Sequence, residues 1–354
     1  MSNRTYSEEE LLAILADFGV NDIVKVARYG SGHINDTFKA DDIRGVSYIL
    51  QRINTEIFPD ADGMMENISR VTGHIRSKGG RSLEVLGYKR PWRLYAFITG
   101  ARTIDLIENA DQAFLAANAF AQFQNILADL PEPRLNEILP KFHNTVSRFE
   151  LLDAAAKADV KDRLKLVQRE MDFIMARREE AGRIVNGMLS GEIPERITHN
   201  DTKINNVMLD DVTQQGVVVI DLDTVMPGSA LYDFGDMVRT STAAAAEDEK
   251  DLDKVFSRKE YFEALVKGYL KDAKFLSAAE LDALAFSGRL ITLTIGIRFL
   301  TDYLAGDTYF RTAYDDHNLD RCRTQLKMVQ SMEDQRDAYE AIVAETAKAN
   351  GFKI

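Results

Sequence analysis

Residues 198–209, THNDTKINNVML, and residues 216–223, GVVVIDLD, decide how this chain is read. Asp201, Lys203 and Asn206 stand at offsets of 0, +2 and +5 in a polar loop between apolar segments. Phosphoryl transfer needs a carboxylate to orient an acceptor hydroxyl and take its proton. It also needs an oxygen ligand for Mg²⁺ and positive charge near the transferred phosphate. This loop offers all three. Taken alone, it reads equally well as a polar hairpin with Asx turns, which Asn and Asp commonly form. The second segment favours the chemical reading: its apolar run ends in Asp221, and strand-end carboxylates are the hard oxygen ligands Mg²⁺ prefers. The plainer alternative is that Asp221 and Asp223 only terminate an edge strand.

Upstream, the first hundred residues carry most of the strand signal. IVKVARYG (23–30), INDTFKADD (34–42) and VSYILQRIN (46–54) are β-prone runs broken by Gly30, Gly32 and Gly45. Met64, Ile68, Val71 and Ile75 then recur at helical spacing, which predicts a helix over 60–78 stopped by Gly79 and Gly80. LEVLGYKR (83–90) and WRLYAFI (92–98) predict a hairpin. From about Asn109 the pattern becomes helical, over 110–128, 147–157, 161–188, 259–271, 279–304 and 318–348. Only the strand-like pieces of 195–228 interrupt it. An α+β, bilobal arrangement is expected: a β-rich lobe over 1–98, a larger helical lobe over 99–354, and a ligand in the cleft between them.

Composition narrows the partners. The chain has 354 residues, with 44 Lys+Arg against 56 Asp+Glu and a net charge of −12. That balance argues against a nucleic-acid binder, which needs clustered positive charge, and against adsorption to an anionic membrane. With 45% hydrophobic and 28% charged residues the chain is globular. Cys322 is alone, so no intramolecular disulfide is expected. MSNRTYSEEELLAILADFG has no apolar signal core. LITLTIGIRFL (290–300) contains Arg298 and is short for a membrane span, so it reads as a buried helix. A soluble, cytoplasmic protein with no obligate protein partner is expected.

H-N-D-T-K-I-N-N followed by V-V-I-D-L-D resembles the aminoglycoside phosphotransferase and choline kinase superfamily, relatives of the protein kinases. YGSGHINDTF (29–38), YILQRINTEIF (48–58), FQNILADL (123–130), IDLDTVMPGSALYDFGDMVR (220–239) and RFLTDYLAGDTYF (298–310) extend the likeness to the N-acetylhexosamine 1-kinases of that superfamily, in order and across nearly the whole chain. The resemblance implies a protein-kinase-like fold, ATP as co-substrate, Mg²⁺ as cofactor and an amino sugar such as GlcNAc or GalNAc as acceptor. It implies Asp201 as the catalytic aspartate, Asn206 and Asp221 as metal ligands, and Lys203 as the lysine aimed at the transferring phosphate. Gly30 and Gly32 would form the loop over the nucleotide phosphates, the connection Phe97–Thr99 would bind adenine, and His33 would contact the sugar.

Three features need separate weighing. Residues 233–235 spell D-F-G, yet Asp233 lies too far beyond Asp201 to be the metal-binding aspartate of that motif in protein kinases. It matches instead a downstream aspartate that braces the catalytic loop. Gln51 stands where protein kinases place a phosphate-pairing Lys on the third strand, with Arg52 on the opposite face. That departure leaves open what neutralises the α- and β-phosphates. Arg298 and Asp302 are four apart, the spacing of an intrahelical ion pair. The apolar setting of Arg298 and the family match favour a substrate-facing role for Arg298 and Tyr309. The run AEDEKDLDK (246–254) is expected to be a solvated loop. Two rivals remain: a kinase of the same fold for another small alcohol, such as an amino alcohol, aminoglycoside or homoserine, and an ATP-binding pseudokinase.

Overall fold

The computed structural model describes residues 5–30, 32 and 34–353. The expected strand run is present as β1 (Ile23–Arg28), β2 (Asp36–Asp42), β3 (Ser47–Arg52), β4 (Val85–Lys89) and β5 (Trp92–Ala96). They form an antiparallel sheet in the order β1-β2-β3-β5-β4. A helix, α1 (Glu8–Asp17), precedes it and is started by a Ser7–Glu10 capping box. Alternation along the strands sends Phe38, Ala40, Leu50 and Leu94 to one face, where Leu11 and Leu15 of α1 cover them in a small separate core. The other face carries Thr37, Gln51 and Arg93 in one cross-strand row. That row faces the rest of the molecule.

The predicted helix between the third and fourth strands is α2 (Ala61–Ser77), capped by Asp60. Its stripe of Met64, Ile68, Val71 and Ile75 is buried, but in the core of the larger lobe rather than that of the sheet. In packing terms α2 joins the two lobes.

The short strand β6 (Ala101–Arg102) begins the larger lobe. It is followed by α3 (Ala110–Leu127), α4 (Thr145–Ala158), α5 (Gln168–Met175) and α6 (Arg183–Ser190). The helix expected over 161–188 is thus broken. Short 3₁₀ turns and Gly182 divide it, and Gly191 ends it in a left-handed conformation. Then come β7 (Arg196–Thr198), β8 (Val207–Asp210), β9 (Gly216–Val219) and β10 (Met226–Gly228). The pair β8–β9 is the expected hairpin, and β6 docks on its edge.

A helix outside the expected set follows directly, α7 (Ala230–Thr242), started by a Ser229 cap. Every residue from Ala230 to Val238 is buried, the polar Asp233 and Asp236 included. The remaining helices are α8 (Lys259–Asp272), α9 (Ala278–Asp282), α10 (Leu284–Leu304), α11 (His317–Asp334) and α12 (Arg336–Ala349). The break between α11 and α12 at Gln335 divides the single helix expected over 318–348. Helix α10 is long and apolar enough to cross a membrane, but it is mostly buried, packing against α4, α7 and α11. Close approach is built in where glycines lack a side chain: a Cβ at Gly268 of α8 would lie 2.2 Å from the Phe114 carbonyl oxygen of α3.

Candidate active site

The loop after β7 is held by buried hydrogen bonds before any functional group is considered. Asp233, fully buried on α7, accepts the backbone amides of His199 (2.8 Å) and Asn200 (2.7 Å) and the Gln124 amide (2.6 Å). Gln124 is locked in that orientation because its own oxygen accepts from the Tyr269 hydroxyl. Burial pushes the Asp233 carboxyl up to about 6, while the hydrogen bonds from the His199 and Asn200 amides and from Gln124 favour its charged form. Asn200 takes a left-handed conformation, φ +66°. That strain is supported from several sides: Asp233 binds its amide, its Nδ2 donates to the Thr224 carbonyl at 2.9 Å, and His143 Nε2 bonds its carbonyl at 3.1 Å. The expectation that Asp233 braces this loop is met by the geometry, from helix α7.

His199 ties the loop to the hairpin. Its Nε2 meets the Ile220 carbonyl at 2.9 Å and its Nδ1 accepts the Asp201 amide at 3.3 Å, the pattern of a neutral imidazole. Phe120 and Phe123 box the ring edge-on. Asp201 and the segment ending at Asp221 are therefore fixed by one side chain.

At the tip, the polar residues expected from the sequence converge. Lys203 Nζ lies 2.8 Å from Asp201 Oδ1. Asn206 Nδ2 donates to the Asp201 carbonyl (2.8 Å) and to Asp201 Oδ2 (3.1 Å). Its nitrogen is thereby spent, and its amide oxygen is the group left to offer a metal. Burial disfavours the Lys203 cation, but Asp201 and Asp236 outweigh it and raise its pKa. Asp221 takes a left-handed conformation at the end of β9. Solvent reaches its side chain, yet the cleft around it leaves little room for bulk water. That desolvation first, then Asp223 and Asp201, pushes its carboxyl up to about 7. Among the described residues no group of three or more acidic, His or Cys side chains is placed to hold a metal, but the Asp221 carboxylate and the Asn206 amide oxygen are oxygen donors of the kind a hard divalent cation takes.

Asp223, two residues on, turns away from the solvent. It lies 2.6 Å from Arg93 Nη1 and accepts from Asn35 Nδ2 at 2.6 Å. Gln51 does not reach toward a phosphate here: its oxygen accepts from Arg93 Nε (2.8 Å) and Nη2 (2.5 Å), and its nitrogen donates to Thr37 (2.9 Å). Gly30, with φ +78°, starts the turn between β1 and β2, and Gly32 is exposed there. His33 lies outside the described residues. In the connection after β5, the Phe97 amide is bound to the Ser47 carbonyl and the Thr99 carbonyl to Arg81. The Ile98 backbone is bonded by no described residue.

Arg298 and Tyr309 are brought together, with Nη2 3.4 Å from the hydroxyl. The ion pair that the four-residue spacing suggested does not form. Asp302 is instead buried and accepts the amides of Thr308 (2.9 Å), Tyr309 (2.8 Å) and Phe310 (2.9 Å), together with Asn318 Nδ2 (2.9 Å). It shapes the loop that presents Tyr309. Arg298 rests among the rings of Phe142, Tyr309 and Phe310 at 5.5–5.8 Å. A second guanidinium, Arg148, donates to the Phe142 carbonyl at 2.7 Å, and its Nε is buried without a partner. Burial and the neighbouring Arg298 lower its pKa to about 10. His143 between them is driven down to about 4 by burial, against the opposing pull of Asp236. The acidic run 246–254 is largely exposed as expected, but tied at Glu247 to Arg239 (3.3 Å) and at Asp248 to His317 (3.1 Å).

Sequence reading passed over Arg93, Asn35, Arg148 and His199. Arg93 had a signal: a single cation inside the strand-like run WRLYAFI, on a strand whose neighbours are buried. Arg148 had none, because an Arg near the start of an amphipathic helix is unremarkable.

Fold and site together are those of a kinase-like phosphotransferase, with the polar loop of Asp201 and the strand end of Asp221 beneath a β-rich lobe. Residues 25–275, more than half of the chain, match the profile of APH, the phosphotransferase enzyme family, and the chain belongs to that family. Solved structures share the fold at low identity. A Plasmodium vivax ethanolamine kinase aligns at TM-score 0.62 and 16% identity, covering 92% of this chain and 91% of its own. A choline kinase from Cryptosporidium parvum aligns at TM-score 0.60 and 14% identity, covering 96% and 99%. The amicoumacin kinase hAmiN, in complex with AMP-PNP, Ca²⁺ and Ami, aligns at TM-score 0.59 and 14% identity, covering 91% and 93%.

Proposed function

We propose that this enzyme transfers the γ-phosphoryl group of ATP to the anomeric hydroxyl of an N-acetylhexosamine, GlcNAc or GalNAc, giving the sugar 1-phosphate. The observation that carries the acceptor class is the pair Arg148 and Arg298 beside the catalytic loop. Neither has a carboxylate within ion-pair distance among the described residues, and Asp302, which could have neutralised Arg298, is turned into the backbone. Two unneutralised guanidiniums repel a cationic amine and suit a neutral, oxygen-rich acceptor whose hydroxyl and carbonyl oxygens accept hydrogen bonds. The ordered sequence blocks shared with the N-acetylhexosamine 1-kinases support the same choice.

Asp201 would orient the acceptor hydroxyl and take its proton, a transfer eased by the greater acidity of an anomeric hydroxyl. Lys203, held by Asp201 and close to Asp236, would place positive charge on the departing phosphoryl oxygens. Asn206 and Asp221 would hold a divalent metal, Mg²⁺ in this reading, which when bound neutralises phosphate charge. Arg239 pairs with Asp236 at 2.9 Å, so Asp236 steadies Lys203 without adding free negative charge to the acceptor side. The rest of the rate comes from positioning.

The second reading is a kinase for an amino alcohol or aminoglycoside. The net charge of −12 and the names of the structural neighbours favour it. One panel separates the two: ATP consumption with GlcNAc, GalNAc, unacetylated hexoses, ethanolamine, choline and an aminoglycoside, with reducing-end assay of the sugar products. Loss of reducing-end reactivity with GlcNAc or GalNAc supports sugar 1-phosphate formation. Turnover confined to the amines overturns it.

A further inference from the structure

In protein kinases a strand-three Lys paired to a helix Glu couples the small lobe to the nucleotide phosphates. Here the strand-three position is Gln51, and α2 supplies no carboxylate to Gln51 or Arg93 in the row on the inner face of the sheet. Its acids, Asp62 and Glu66, are both exposed, Asp62 bound to Tyr88 and Glu66 to Asn136. The buried cation of the sheet is Arg93, one strand over from Gln51 and its register partner. Arg93 is 1% exposed, and its guanidinium is occupied on all sides, by Gln51, by Asp223 at 2.6 Å and by the Met65 sulfur of α2 at 3.8 Å.

Asp223 is equally committed. Its second oxygen accepts from Asn35, whose own oxygen accepts the Asn54 amide at 2.9 Å. Asn35 directly precedes β2, so Asp223 is bound to β5 through Arg93 and to the entry of β2 through Asn35. It stands two residues beyond Asp221, on the single turn of helix that Asp221 begins. A buried ion pair of this kind costs more to desolvate than it returns unless its geometry is enforced, and it commonly specifies one arrangement rather than adding stability.

Resting on the nucleotide-and-metal half of the function proposed above, we propose that Arg93 and Asp223 are a positioning pair: they carry the inter-lobe coupling of the missing Lys–Glu pair and aim Asp221 at the metal-bound phosphates, with Asp223 as anchor and not as ligand. The pair aligns two things at once, namely the sheet above the nucleotide and the strand end that would hold the metal. Gln51 is then explained as the side chain that sets the Arg93 guanidinium, by accepting two of its N–H groups.

The test uses the full chain without any acceptor, so its outcome does not depend on which alcohol is phosphorylated. The variants are Asp223→Asn, Arg93→Lys and the apolar double variant Arg93→Met/Asp223→Leu. Calorimetry reads affinity for ADP with and without Mg²⁺, Mn²⁺ paramagnetic resonance reads metal bound per nucleotide, and thermal melting reads stability. Expected is a loss of about 10–100-fold in Mg-ADP affinity in all three variants, with metal-free ADP affinity little changed. Mn²⁺ should still bind one per nucleotide, only more weakly. The double variant should recover the melting temperature that the single variants lose, but not the affinity. Wild-type Mg-ADP affinity in the well-folded double variant would overturn the proposal and reduce the pair to packing. Loss of the Mn²⁺ site in Asp223→Asn, with normal binding in Arg93→Lys, would overturn it by making Asp223 a ligand.

Discussion

Replacing Asp233 by Asn removes one charge and keeps the shape, so its cost can be worked from three hydrogen bonds. The carboxylate takes the His199 amide and Gln124 on Oδ2 and the Asn200 amide on Oδ1. An asparagine has one acceptor oxygen. Placed on the Oδ2 side, it serves His199 and Gln124 but turns its NH₂ toward the Asn200 amide. The opposite flip sets NH₂ against two donors, and Gln124 cannot flip to help because Tyr269 donates to its oxygen. At least one buried backbone donor is orphaned, at about 1–3 kcal/mol. The substitution also relieves a buried charge, since the Asp233 carboxyl is pushed up to about 6, so net stability falls by less than the orphaned donor alone would suggest.

The orphan in the better flip is Asn200, which is held at φ +66° immediately before Asp201. Releasing it frees the catalytic carboxylate to move. The expected result is a kcat about 10–100-fold lower, the rate equivalent of about 1.4–2.7 kcal/mol, with KM for ATP near the wild-type value and a modest drop in the urea midpoint. Asp233→Ala orphans all three donors, about 3–9 kcal/mol against a total stability of about 5–15, and should fold poorly or not at all. Steady-state kinetics and urea titration of Asp233→Asn decide the matter. A folded variant with wild-type kcat would refute the claim that this aspartate poses the catalytic loop.

Asp201→Asn should keep Mg-ATP affinity and lose nearly all turnover, on the order of 10³-fold or more by the scale of acid–base and positioning effects; single-turnover quench-flow with bound ATP would show whether substantial chemistry survives. The Asp221 carboxyl, pushed up to about 7, must be ionised to hold metal, so the Mg²⁺ concentration for half-maximal rate should rise as pH falls through 7. The linkage sign is that of an acid with a raised folded pKa: the folded chain binds the extra proton, so this group's contribution to metal-free stability declines as pH rises from about 4 to about 7. Saturating Mg²⁺ should remove that decline in melting scans, and a flat metal-free profile would contradict the assignment. Arg298→Ala should raise KM for the acceptor by about 10-fold or more while KM for ATP stays constant, as expected for a charged hydrogen bond worth about 1.5–3 kcal/mol. Gly268→Ala, whose new methyl would meet the Phe114 carbonyl at 2.2 Å, should cost about 1–3 kcal/mol in denaturant unfolding with kcat per folded molecule preserved.

What the sequence alone determined were the features set by neighbours along the chain. Period-two and helical spacings placed β1 to β5 and α2, and the offsets in THNDTKINN brought Asp201, Lys203 and Asn206 to one loop, because a few residues of backbone cannot carry them far apart. Helical spacing was obscured at α7 by the Pro, Gly and Ser of MPGSA (226–230), which read as a turn, and its polar residues Asp233 and Asp236 face protein partners rather than solvent. Spacing along a helix also says which residues share a face but not which partners they choose. Asp302 stands one turn from Arg298 and yet spends its carboxylate on four N–H groups of the next loop and α11, which leaves Arg298 among the rings of Phe142, Tyr309 and Phe310. Only the tertiary structure could decide this. It also brought Arg93 and Asp223 from separate lobes to 2.6 Å and set Arg148 beside Arg298. Pairing across long loops is chosen by which faces the cores bury together, and a buried charge then takes the partner that packing delivers, wherever that partner lies in the chain.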